Sequence, residues 1–200
     1  MIKYATKLPQ STDDWGITLI NNNLIRKKAI CHTKDVMEYI EYILKYFIKN
    51  RDKLVVPIYN YKIFKHDKIY SYSYDMMRCG ILTKSERNFI DSVGALLHSN
   101  YDSNENFDSK FIFSNKNIFE KSEQHPELTT FLKTVIDQNL YYDYHSGNIM
   151  LNEDGQYVLI DLEGFIRYPI KDNKQIWLTK LKYKPKSKSN LIGKNASLSY

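Results

Sequence analysis

The sequence predicts an α+β fold with an antiparallel-sheet N-terminal lobe and a smaller, helical C-terminal lobe. Short β-prone runs, with one periodic helix among them, fill residues 1–78, and two more helices and a hairpin follow. We therefore place the N-lobe at 1–78 and the helical C-lobe at 79–178. The remaining residues, 179–200, form a lysine-rich tail that we expect to be disordered.

The sheet of the N-lobe is predicted from β-prone runs that turn residues separate. The runs IKYATKL and GITLI come first, and LIRKKAI follows a turn of asparagines at 21–23. Two longer runs, VVPIYNYKIF and KIYSYSY, are joined by the turn KHDK. In the last run Tyr70, Tyr72 and Tyr74 alternate with serines, so we expect an aromatic strand face that packs in the core.

Three segments show the spacing of three and four residues that is typical of amphipathic helices. They cover residues 35–50, about 85–98, and the stretch PELTTFLKTVIDQN, whose first residue suits a first helical turn. Thr33 or Asp35 is placed to cap the first helix. Thr83 and Glu86 have capping-box spacing before the second.

Residues 99–124, between the second and third helices, have the composition of a loop. They are rich in Ser, Asn, Asp and Lys. We expect a long surface excursion, held by a weak apolar anchor at residues 111–113 and at Ile118 and Phe119.

Composition and charge narrow the function classes. No apolar run is long enough to span a membrane, and the N-terminus lacks an apolar segment of signal-peptide length. Cys31 and Cys79 are far apart with no metal-ligand spacing, so we expect buried thiols in a reducing cytoplasm. The net charge of +6 comes largely from the tail, and no nucleic-acid recognition motif is present. We therefore expect neither a membrane nor nucleic acid as a partner.

The stretch LYYDYHSGNIMLNEDGQYVLIDLEGF, residues 140–165, carries the chemistry. Its predicted hairpin brings Asn148 and Asp161 to neighbouring strand ends, where two oxygen ligands can share one Mg²⁺ ion. Asp143 lies in the polar loop before them and is free to receive a proton from an incoming hydroxyl. One group that orients a nucleophile beside two that hold a metal is the arrangement that phosphoryl transfer requires.

The motif DYHSGNIML…VLID resembles the catalytic and metal-binding loops of the protein-kinase-like fold. The form D-x-H-x-G-N is similar to that of aminoglycoside phosphotransferases and atypical kinases, and HSGNIM resembles the loop of the early serine/threonine kinases of short-tailed coliphages. The resemblance implies that Asp143 is the catalytic base and that His145 contacts the transferred phosphate. It also implies that Asn148 and Asp161 are the Mg²⁺ ligands and that ATP is the phosphate donor.

The resemblance covers about residues 1–165 and gives roles to the N-lobe. The strand LIRKKAI corresponds to a strand that carries a phosphate-binding lysine. Lys27 is the first choice because it shares a face with apolar residues, and Lys28, on the other face, is the second. The following helix is expected to offer a glutamate to that lysine. Glu41, which borders the apolar stripe of the helix, is favoured over Glu38.

The segment YDMMRCG aligns with the hinge between the lobes. There Asp75 and Met77 are expected to hold adenine through backbone groups, and Gly80 begins the second lobe. The chain departs from the pattern elsewhere: it has no Gly-rich loop, Tyr141 replaces the usual histidine, and the metal-binding DFG is DLEG. No APE motif follows, so the C-lobe is expected to be reduced, and this counts against a peptide-binding surface.

Three functions are consistent with these residues. The favoured one is a cytoplasmic ATP- and Mg²⁺-dependent serine/threonine protein kinase, either viral or otherwise minimal. If it is viral, its substrate is expected to be a host protein in the host cytoplasm. The second is a small-molecule phosphotransferase of the aminoglycoside-kinase type. The third is a pseudokinase that acts as a partner-binding module without chemistry.

Overall fold

In the computed structural model the chain has an α+β fold, which confirms the predicted class. The structure describes residues 3–4, 16–66, 69–99, 108–167, 170–172, 175 and 177. Four antiparallel strands form one sheet in the order β1-β2-β4-β3: β1 Gly16–Leu19, β2 Leu24–Cys31, β3 Ile58–His66 and β4 Ile69–Met77. The hairpin consists of β5 Ile149–Leu151 and β6 Tyr157–Leu159. The helices are α1 Lys34–Asn50, α2 Lys84–Ser99, α3 Ser109–Ser114, α4 Lys116–Gln124 and α5 Pro126–Gln138, and a short 3-10 turn covers Leu162–Phe165.

The predicted strand IKYATKL lies outside the described residues, apart from Lys3 and Tyr4. The predicted tail, 179–200, also lies outside them. Within the described part of the chain, no helix is long and apolar enough to cross a membrane. Cys31 and Cys79 are both free and buried, as predicted. The aromatic strand face is also confirmed, since Tyr72 and Tyr74 are among the most deeply buried side chains.

Helix α1 packs on the inner face of the sheet, the face to which Lys27, Tyr72 and Tyr74 belong. Thr33 caps it by accepting a hydrogen bond from the Val36 N–H at 3.3 Å. Its apolar stripe is buried as predicted, and Tyr39 lies on the same buried side. The Tyr39 hydroxyl donates to the Phe165 carbonyl at 3.3 Å, so α1 is tied to the turn that follows the hairpin.

The predicted surface excursion at 99–124 is wrong for residues 109–124, which form α3 and α4. Asp108 caps α3 by accepting from the Phe111 N–H, and Asn115 caps α4 by accepting from two backbone N–H groups. The side chains of Ile112, Phe113 and Ile118 are buried. The polar residues that suggested a loop are therefore helix caps, and the weak anchor is part of the core.

Backbone hydrogen bonds tie the β5–β6 hairpin to the segment after β4 and to the segment between α1 and β3. The Gly80 N–H and carbonyl bond the Leu151 carbonyl and N–H at 2.7 and 3.0 Å, which fixes the exit from β4. On the other side, the Val56 N–H donates to the Leu159 carbonyl at 2.9 Å, and the Leu159 N–H donates to Leu54 at 2.8 Å. These bonds place the residues after β6 against the inner face of the four-stranded sheet.

Replacing Glu86 by Gln is expected to destabilise the protein by about 0.5–1 kcal/mol, because Gln can keep the predicted capping box of α2 but loses the charge that strengthens its hydrogen bonds. Glu86 accepts from the Thr83 N–H at 2.7 Å and from the Tyr157 hydroxyl of β6 at 2.6 Å. Burial alone raises the pKa of Glu86, but the hydrogen bonds from Thr83 and Tyr157 outweigh burial and leave that pKa below its ordinary value of 4.5. The ionised group therefore contributes stability above pH 4.5, and this contribution is lost as the pH falls through the lowered pKa.

Urea unfolding at pH 7 and at successively lower pH values measures this. The wild type and Glu86→Gln should differ at pH 7, and the difference should shrink as the pH falls through the lowered pKa of Glu86. A difference that stays constant over the whole acid range would contradict the assignment to the ionised carboxylate.

Candidate active site

An ion pair joins the N-terminal sheet to the end of the hairpin. The Lys27 ammonium on β2 donates to Asp161 Oδ1 at 2.7 Å, across 134 positions of sequence. The pairing of β2 with β4 turns Lys27 to the inner face, opposite Tyr74. The pairing of β5 with β6 places Asp161 just beyond the strand end. Lys27, the first choice from the sequence, is therefore the lysine on the inner face beside Asp161, whereas Lys28 lies on the opposite strand face.

The environment of Lys27 favours its charged form. The side chain is only 17% exposed. Burial by itself lowers the pKa of Lys27, but attraction to Tyr74, Asp161 and Glu163 raises it well above its ordinary value. Lys27 is thus a fixed positive charge on the inner side of the sheet.

Glu163 is the second acidic partner of Lys27, with Oε2 at 3.9 Å from Nζ. It also accepts a hydrogen bond from the Tyr72 hydroxyl of β4. Asp161 caps the 3-10 turn by accepting from the Glu163 N–H at 3.0 Å. The two carboxylates of the DLEG segment are therefore oriented together. The sequence analysis did not single out Glu163, although the glutamate in DLEG was visible as a departure.

Asp143 and Asn148 lie together at the start of the hairpin. The Asn148 side-chain amide donates to Asp143 Oδ2 at 2.9 Å and to the Asp143 carbonyl at 3.1 Å. The Ile160 N–H donates to the Asn148 carbonyl at 3.0 Å, so Asn148 stands beside the residue that precedes Asp161. The Asp143 side chain is 48% exposed and can be reached by an acceptor molecule.

His145 faces the same carboxylate. Its Nε2 lies 3.5 Å from Asp143 Oδ2, and its Nδ1 accepts from the Gly147 N–H at 3.0 Å. Because Nδ1 acts as an acceptor, a neutral ring carries its proton on Nε2, towards Asp143. The predicted phosphate contact is not tested by this geometry, which shows only that His145 adjoins Asp143.

Tyr141 connects the loop to the DLEG segment. Burial raises the pKa of the Tyr141 phenol well above its ordinary value, and the nearby carboxylates of Asp161 and Asp143 raise it further. One buried hydroxyl is therefore within electrostatic reach of both predicted carboxylates. The Tyr142 N–H also donates to the Gly164 carbonyl at 2.7 Å. The loop before the hairpin and the turn after it are thus held side by side.

Helix α2 holds the other side of the loop. Asp91 accepts from the Ser146 N–H at 2.7 Å and from the Ser146 hydroxyl at 3.0 Å. One turn further along, Gly94 packs directly against the Tyr144 carbonyl. The sequence analysis did not identify these two residues, which lie three positions apart and so share a helix face.

Replacing Gly94 by Ala is expected to destabilise the protein by roughly 1–3 kcal/mol through overpacking. A Cβ at this position would lie far inside the van der Waals radius of the Tyr144 carbonyl oxygen and 3.0 Å from its carbonyl carbon. Gly→Ala in an unobstructed helix instead stabilises by about 1 kcal/mol. Urea unfolding gives the sign, and Ala95→Gly calibrates helix propensity at the exposed neighbouring position. A stabilised Gly94→Ala variant would contradict the close approach.

Asn148 and Asp161, the predicted metal ligands, are too few to surround a metal ion by themselves. They suit an ion that is also bound by a phosphate group. Within the described ranges, no three His, Cys, Asp or Glu side chains are grouped to hold a metal. The Asp161 hydrogen bonds to Lys27 and Glu163 both fall on Oδ1, so Oδ2 is the oxygen that a cation would bind. Asn148 directs its amide nitrogen to Asp143, which turns its oxygen the other way. Mg²⁺ commonly takes few protein ligands and completes its shell with phosphate and water.

The predicted pairing of Lys27 with Glu41 is not what the structure shows. Glu41 binds Lys45 at 2.6 Å and accepts from the Tyr61 hydroxyl at 3.4 Å. Glu38, the second choice, pairs with Lys34. Tyr39 is the residue of α1 that faces the turn after the hairpin. Because each residue advances a helix by about 100°, Glu41 points about 200° away from Tyr39 and so faces β3.

The expected adenine contacts of Asp75 and Met77 through backbone groups stay a prediction. Asp75 lies within β4 and forms a two-point ion pair with Arg26, at 2.6 and 2.9 Å. The Met77 N–H donates to the Pro57 carbonyl at 3.0 Å, so it is not open to a nucleotide in this conformation. Both residues are therefore part of the sheet in this structure.

Comparison with protein-family models and with curated proteins finds no match for this chain.

Proposed function

We propose that this chain is an ATP-dependent phosphotransferase of the protein-kinase-like class, with serine or threonine hydroxyls of a protein as the favoured acceptors. The observation that carries the proposal is the Lys27–Asp161 pair, because Asp161 directly follows Ile160, whose N–H bonds Asn148, the partner of Asp143. A fixed cation suits ATP phosphates. A half-exposed carboxylate nearby suits an incoming hydroxyl.

Each residue has a separate part in this proposal. Lys27 exchanges its bond with Asp161 for the α- and β-phosphates of ATP. Asn148 and Asp161 are the residues that would hold Mg²⁺, which neutralises phosphate charge when bound. Asp143 accepts a hydrogen bond from the acceptor hydroxyl, orients it, and takes its proton as the new bond to the γ-phosphorus forms. The bond between the γ-phosphorus and the bridging oxygen of ADP breaks at the same time, and ADP leaves. In this proposal His145, whose Nε2 lies beside Asp143, donates to the transferred phosphate.

The test is transfer of labelled γ-phosphate by the purified chain with Mg²⁺. We expect label on the chain itself or on a general protein substrate. ADP release with amino-sugars, choline or nucleosides and no labelled protein would replace the protein-kinase proposal with the small-molecule one. Absence of both transfer and any thermal shift with ATP and Mg²⁺ would overturn the proposal in favour of a binding module.

A further inference from the structure

Both acidic partners of Lys27 come from one three-residue stretch after the hairpin. Lys27 Nζ lies 2.7 Å from Asp161 Oδ1 and 3.9 Å from Glu163 Oε2. Glu163 is held in place by the Tyr72 hydroxyl, which belongs to a side chain that is only 2% exposed. The two anchors of Glu163, Lys27 and Tyr72, lie on the inner face of neighbouring strands. The carboxylate is therefore fixed against the sheet rather than against a helix.

When a nucleotide is bound, we expect Glu163 to stay paired with Lys27 and Asp161 to leave it. In the proposed reaction Asp161 would hold Mg²⁺, and Lys27 would lose its shortest ion pair. Glu163 keeps its own bond to Tyr72 and, among the described residues, is the other carboxylate paired with the ammonium. The α1 carboxylates are engaged elsewhere, since Glu41 binds Lys45.

We propose that Glu163 is the positioning residue for Lys27, in place of a glutamate from helix α1. It holds the ammonium at the inner face of the sheet, where the phosphates of a nucleoside triphosphate bind. The nucleotide part of this inference rests on the proposed function, whereas the Lys27–Glu163 interaction does not.

A double-mutant cycle on thermal unfolding tests the interaction without any activity. The variants are Lys27→Met, Glu163→Gln and their combination, and Glu41→Gln supplies the matched control, alone and with Lys27→Met. The Tm shifts of Lys27→Met and Glu163→Gln should be non-additive, whereas those of Lys27→Met and Glu41→Gln should add. Additive shifts for the Glu163 pair, or coupling to Glu41 instead, would overturn the proposal.

Tyr72→Phe extends the cycle, because it removes the anchor of Glu163 and leaves both charges in place. The Lys27–Glu163 coupling should fall in a Tyr72→Phe background. Unchanged coupling there would overturn the role of Tyr72 in fixing the carboxylate.

A binding titration with a fluorescent ATP analogue tests the nucleotide part. Glu163→Gln should weaken binding about tenfold, and Glu163→Asp should recover part of the loss. In turnover, the KM for ATP should change more than kcat. A defect that disappears at high Mg²⁺ would mark Glu163 as a metal ligand and overturn the positioning role. If the wild type binds no nucleotide, the proposed function and the nucleotide part fail together, and the thermal cycle alone decides the ion pair.

Discussion

Asp143→Asn is expected to keep the fold and lower the rate of phosphate transfer by about 10²–10⁴-fold, the usual contribution of a general base. The substitution preserves the size and the hydrogen-bonding capacity of the side chain towards Asn148, but an amide does not accept a proton from an attacking hydroxyl. Asp143 is half-exposed, so the change leaves no buried charge without a partner. Single-turnover transfer at saturating ATP and Mg²⁺ measures the loss.

The affinity for nucleotide should change little in the same variant, because Asp143 acts on the acceptor and not on the phosphates. Asp154→Asn, on the exposed turn of the hairpin, is the matched control for the same chemical change. Transfer at the wild-type rate by Asp143→Asn would show that another group is the base. A loss of nucleotide affinity as large as the loss of rate would show that Asp143 belongs to the donor side.

The hairpin geometry could be predicted because it depends on local signals. The apolar strands are short, and the turn contains Gly155, whose φ of 78° favours glycine. A tight turn fixes the register of its strands, and the register sets Asn148 beside residue 160. The position of Asp161 relative to Lys27 could not be predicted from local signals. It depends on hydrogen bonds between the hairpin and Leu54, Val56 and Gly80, and no local pattern in the sequence shows these.

The direction of a side chain is easier to predict in a strand than in a helix. The choice between Lys27 and Lys28 and the choice between Glu38 and Glu41 show why. Side chains of a strand alternate between two faces, so the apolar neighbours of Lys27 decide between it and Lys28. A helix offers a continuous range of directions, and a residue at the border of the apolar stripe can point to either side. Glu41 is such a residue, and Lys45 and Tyr61 attract it away from Lys27.

The composition of residues 109–124 predicts a loop because helix caps and loops use the same polar residues. Asp108 and Asn115 each precede a short helix and accept hydrogen bonds from its first N–H groups. Such residues are common both in loops and at helix starts. The apolar spacing of Ile112, Phe113 and Ile118 was the available signal. These helices are too short for the pattern to repeat, so packing against α2 and α5 stabilises them.

Lys27→Met is expected to reduce turnover by about 10²–10³-fold, as for the loss of one preorganised donor to a developing negative charge. Methionine keeps much of the length of the side chain and suits the partly buried position, so the loss should come from charge rather than from packing. The site would then hold Asp161 and Glu163 without a cation, and their repulsion of phosphate should weaken nucleotide binding as well. Steady-state turnover and binding of a fluorescent ATP analogue measure the two effects.

Lys28→Met is the matched control, since it removes the same charge from the adjacent position on the opposite face of β2. It should leave both turnover and nucleotide binding close to the wild type, because the sheet residues that contact the DLEG carboxylates in the described part of the chain, Lys27 and Tyr72, lie on the inner face. Equal losses in the two variants would mean that general charge, and not a directed ammonium, attracts the nucleotide. A larger loss in Lys28→Met would place the phosphates on the outer face of the sheet and would remove the basis for assigning Asp161 and Asn148 to the metal.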